Sequence, residues 1–166
     1  PVVDMIKTWK EHKVDHDSDE EDINKARVMV RLFAETCELS ARTMIDGIMA
    51  ERLSDECEMI LINQMLECAS VNYENEIARI PLDFFFQLSS RIAEGEDGSL
   101  LQEDVSKYSP CFSNLVQIAH MQIQNVEQKN DLKERERDQE EWCDTVVDCC
   151  QVLQPDFCVA EICKLI

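Results

Sequence analysis

Glycine and proline are scarce, with three Gly and four Pro in 166 residues. Tight β-turns lean on both, so a sheet built from hairpins has too few turn residues here. Positive charge is scarce as well: 16 Lys plus Arg stand against 35 Asp plus Glu, a formal charge of −19. Such a surface repels a phosphate backbone and an anionic bilayer before contact, which excludes nucleic-acid and membrane-surface partners and favours basic proteins. No apolar run approaches the roughly 20 residues that span a bilayer. A leader pattern is missing, and the chain opens on Pro1 rather than Met, so it reads as a piece of a longer protein. There is no Gly-rich phosphate loop and no Ser or Cys nucleophile in a recognisable turn, and carboxylate pairs occur only at surface spacings. Catalysis and a bound cofactor therefore find no support.

Cysteine, by contrast, is abundant. Cys37, Cys57, Cys68, Cys111, Cys143, Cys149, Cys150, Cys158 and Cys163 sit within apolar helical patterns. Their number is odd and no C-x-x-C pair occurs, so they are expected to be reduced, buried thiols in a nuclear or cytosolic protein. His12 and His16 lie four apart near Asp15 and Asp17, but in a charged stretch without cysteine, and no metal site is expected there. His120, beside an apolar stripe, reads as structural.

The strongest pattern lies over 74–94, where Ile77, Ile80, Phe84, Leu88 and Ile92 recur every three or four residues. Phe85 and Phe86 widen that stripe beyond what one partner helix needs, so this helix is expected to lie among several others. The spacing predicts further helices over 19–49, 54–70, 99–123 and 131–153. Partial helices are expected at 1–10 and 156–166, with an acidic loop at 11–18. Ser18 with Glu21 and Asp131 with Glu134 match capping boxes, and Ser54 and Ser99 are candidate caps. Pro81 and Pro110 are expected to bend or break their helices, because each removes a backbone donor.

Ser54 and Ser99 open corresponding helices 45 residues apart, each followed by a partner helix. That period is the signature of HEAT or armadillo arrays, so the whole of 1–166 reads as one all-α segment of antiparallel helix pairs in an α-α superhelix. The runs DINKARVMVRLFAETCELSARTMI, CEMILINQMLECAS and NEIARIPLDFFFQLSSRI resemble the middle of an importin-β superfamily (karyopherin) transport receptor, most of all its transportin-SR branch. The aromatic triplet Phe84-Phe85-Phe86 followed by Gln87-Leu88 carries much of this likeness, which continues through VSKYSPCFSNLVQIAHMQIQ and WCDTVVDCCQVL. The resemblance implies a nuclear import receptor that shuttles between nucleus and cytoplasm. It would carry arginine/serine-rich cargo and release it to the GTP form of Ran. It further implies that 19–49, 74–94 and 131–153 are the inner helices, facing cargo and Ran.

The candidate partner-binding residues are acidic. Glu134, Asp138, Glu141 and Asp148 are read as one face of the 131–153 helix, opposite Trp142, with Arg135 and Arg137 interrupting the field. Glu74 and Asp83 hold similar positions on the central helix. Asp17, Asp19, Glu20 and Glu21 belong to the densest acidic run, which also includes Asp15 and Asp22. Carboxylates so spaced can meet a row of Lys or Arg on a partner. The plainer reading of each is a solvated outward face or loop. A HEAT-type scaffold outside transport, and a free-standing helical bundle, are the alternative readings of the whole chain.

Overall fold

The computed structural model describes residues 19–46, 55–71, 75–94, 102–127 and 131–163. Every regular element among them is helical: α1 (Glu20–Asp46), α2 (Asp55–Ala69), α3 (Asn75–Arg79), α4 (Leu82–Glu94), α5 (Gln102–Val126), α6 (Leu132–Leu153) and α7 (Pro155–Cys163). The fold is an all-α helical repeat, as the apolar periods and the scarcity of turn residues predict. None of these helices is long and apolar enough to cross a membrane. Contacts divide the chain into two compact units, Pro1–Phe84 and Phe85–Ile166, with the division inside α4.

In the first unit α1 is capped by Asp19, whose Oδ1 accepts the Asp22 N–H at 2.9 Å. Ser18, the cap expected from the capping-box pattern, lies outside the described residues, and the carboxylate next to it satisfies the orphan donor. Glu20, Glu21 and Asp22 fill the first turn, where the helix dipole favours negative charge. One side of α1 is buried through Ala26, Val30, Phe33 and Ala34. α2 buries Leu61, Ile62, Met65, Leu66, Cys68 and Ala69, more than a single stripe, because its sequence is apolar nearly all round. The Arg27 guanidinium meets the Glu76 carboxylate at 2.8 Å and ties α1 to α3.

Residues 74–94 do not form one helix. α3 stops at Arg79, the Ile80 N–H turns back to the Ile77 carbonyl at 3.2 Å, and α4 restarts at Leu82. The cause is Pro81, which has no N–H to give and whose ring collides with the carbonyl four residues back.

In the second unit α4 buries Phe85, Leu88, Ser89 and Ile92. The Phe85 ring stands edge-on to Phe112, with centroids 6.3 Å apart and planes at 76°. α5 departs from expectation in that Pro110 does not break it and in where it ends. It runs unbroken through Pro110, and it continues to Val126 with Gln122 and Val126 buried, where a polar end near 123 was expected. Tyr108, Cys111 and Phe112 around the proline are all buried, and burying side chains of that size contributes roughly 1.5–3 kcal/mol apiece. Packing on this scale offsets the roughly 3 kcal/mol that an interior proline takes from a helix. Pro110 itself is exposed, so its ring displaces nothing from the core.

α5 and α6 pack against each other. Gln154 ends α6 with φ 66°, the left-handed region that non-glycine residues seldom occupy. Its carbonyl accepts the N–H groups of Phe157 and Cys158 at 3.1 and 3.2 Å. Pro155 then takes the first position of α7, where its missing N–H and fixed φ suit a helix start.

The cysteine expectation holds in part. All seven described cysteines are free thiols, and Cys68, Cys111, Cys149 and Cys158 are buried, but Cys143 and Cys163 are exposed. Both lie on the outer sides of helices whose opposite sides supply the packing. Cys37 and Cys57 fall where side chains are not described.

Candidate partner-binding surface

The N-terminus of α6 fixes how its acidic residues are presented. Asp131 Oδ1 accepts the N–H groups of Lys133 at 2.9 Å and Glu134 at 3.0 Å. From this cap the buried side runs through Asp138, Trp142, Thr145, Cys149, Val152 and Leu153.

Asp138 therefore corrects the sequence reading. Residues four apart on a helix are turned only about 40° from each other, so Asp138 shares the side of Trp142 instead of opposing it. It is 0% exposed, and its Oδ1 lies 3.4 Å from the guanidinium of Arg137, which reaches in from the surface. The four acidic residues do fall within one arc of about 80° on the helix, but that arc adjoins Trp142 and is not uniformly open. Glu134 is exposed near the N-terminus, Glu141 and Asp148 are half-buried, and Asp138 belongs to the core.

The carboxylates that are exposed in a continuous row are Glu136, Glu140 and Asp144, with half-buried Asp148 in the next place. They recur every fourth residue, so each lies about 6 Å along the axis from the last. Beside them the outer side presents Cys143 and Val147, the latter 62% exposed. The row is electrostatically loaded. Partial burial, and then the neighbouring Asp144 charge, push the Asp148 carboxyl above its ordinary value. The Gln151 amide donates to Asp148 at 3.5 Å, a long and neutral contact that does not cancel the charge.

The other candidates have local explanations. Asp19 is a helix cap. Glu20 is exposed in the first turn of α1, and Glu21 holds Lys25 at 2.8 Å, with Asp22 at 3.5 Å from the same ammonium. Those contacts, led by the hydrogen bond from Lys25 to Glu21, raise the Lys25 pKa. Asp83 is exposed in the first turn of α4, where a dipole attracts it. Glu74 and Asp17 lie outside the described residues. Among the described residues no three His, Cys, Asp or Glu side chains converge as metal ligands would.

Sequence reasoning missed Glu136, Glu140 and Asp144, although the signal was present. The core period Trp142, Thr145, Cys149, Val152 extends back to position 138, and the fourth-residue row of acids lies on the side that it leaves free.

A family model for the Transportin-3/Importin-13 second TPR domain matches residues 21–122, more than half of the chain's 166. The chain belongs to that family. It is thus an importin-β-type, or karyopherin, helical-repeat chain of a nuclear transport receptor. The family's description speaks of TPR and the sequence spacing pointed to HEAT; both are arrays of helix pairs. Here α2 begins at Asp55 and α5 at Gln102, 47 residues apart, which is nearer the HEAT period of about 40–47 than the TPR period of about 34. No curated protein and no solved structure matches the chain. The acidic row of α6 lies beyond the matched residues.

Proposed function

We propose that this chain is part of a nuclear import receptor of the transportin-SR branch, that it holds arginine/serine-rich cargo on the outer side of α6, and that Ran-GTP releases the cargo. The observation that carries this reading is the spacing of Glu136, Glu140 and Asp144. Alternate residues of an extended chain are about 6.6 Å apart, close to the 6 Å step between carboxylates four apart on a helix. An extended segment with Arg at every second position therefore lays one guanidinium against each acid in turn. Guanidinium is the cation best suited to the task, because its planar fork grips a carboxylate through two hydrogen bonds. Val147 and Cys143, beside the row, give the aliphatic stems of those arginines a surface to lie on.

Each exposed pair contributes only about 0.2–1 kcal/mol, so affinity comes from several pairs together and weakens with salt. Release by Ran-GTP then requires only that its binding favour a state in which part of the row is lost, because coupling between the two ligands is reciprocal. Shuttling between nucleus and cytoplasm follows from such a cycle.

The test is fluorescence anisotropy of a labelled peptide of alternating Arg and Ser, titrated with the full-length receptor and then challenged with GTP-locked Ran. Binding that falls steeply with salt, followed by displacement by Ran, supports the reading. Binding that persists in saturating Ran removes the release step. Absence of peptide binding at low salt removes the cargo assignment.

A further inference from the structure

We draw no further inference here: the strongest candidate, the apolar surface of α7 at its exposed residues Phe157 and Val159, carries nothing because nothing in the structure shows what covers it.

Discussion

Asp138 and Trp142 lie one turn apart on the same buried side of α6, a carboxylate and an indole that are both fully enclosed. Replacing Trp142 with Ala removes the largest side chain of this seam and is expected to lower stability by about 3–5 kcal/mol. Asp138→Ala removes the contact with Arg137 and leaves a gap in the buried side of α6, and should lower stability by about 1–3 kcal/mol. Glu136→Gln, on the outer side, should stay within about 0.5 kcal/mol of the parent. Denaturant midpoints check the order. An Asp138→Ala variant as stable as Glu136→Gln would place Asp138 in solvent and contradict the burial.

Pro110 has no N–H to offer the Ser106 carbonyl within an otherwise regular α5. Pro110→Ala supplies that donor and is expected to raise stability by about 1–3 kcal/mol, up to the full helix-interior difference between the two residues. Pro81→Ala lies at a break between helices and should do far less, because no regular helix runs through position 81. Thermal melts of the two variants side by side decide the matter, and equal shifts would contradict the assignment of one proline to a helix and the other to a break.

The Asp148 carboxyl is held above its ordinary value of 3.8 by partial burial and by Asp144. The sign follows from the proton: the folded chain binds it more tightly than the unfolded chain. Its stabilising effect is complete below 3.8 and is lost as pH rises through the higher folded value. At neutral pH the charged pair is therefore a small liability, and Asp148→Asn should stabilise by roughly 0.2–0.5 kcal/mol, the scale of a like-charge pair four apart. Stability measured against pH should show the gain shrinking on acidification, whereas a variant less stable at pH 7 would contradict the account.

Cys143 and Cys163 are exposed, while Cys149 is buried and its thiol is pushed well above the ordinary range, first by desolvation. Only a thiolate attacks a maleimide, so Cys143 and Cys163 should label quickly in the native protein and Cys149 only after unfolding. Peptide mapping by mass spectrometry after a short pulse reads this directly. Early labelling of Cys149 would show that the α6 seam opens.

The fold was legible because a stripe such as Ile77, Phe84, Leu88 and Ile92 repeats a period that only a helix satisfies. Pro81 was legible as trouble, since a missing donor is a local fact. That Pro110 would leave its helix unbroken was not legible, because the burial of Tyr108 and Phe112 outweighs the local defect. The binding face was misread at Asp138 for a different reason. A carboxylate is assumed to face water, and that assumption outweighed the four-residue step from Trp142, which already places position 138 on the core side. At α1 the acidity had a nearby cause, since Asp19 caps the helix and Glu21 pairs with Lys25, and charge density alone does not distinguish such duties from recognition.

The most direct test of the acidic row is the affinity of an alternating Arg-Ser peptide for the parent and for the triple variant Glu136→Gln, Glu140→Gln, Asp144→Asn. Three exposed pairs at about 0.5 kcal/mol each amount to about a tenfold loss of affinity. The account predicts that loss, together with a shallower dependence on salt and an unchanged melting profile. Affinity and salt dependence equal to the parent's would contradict it.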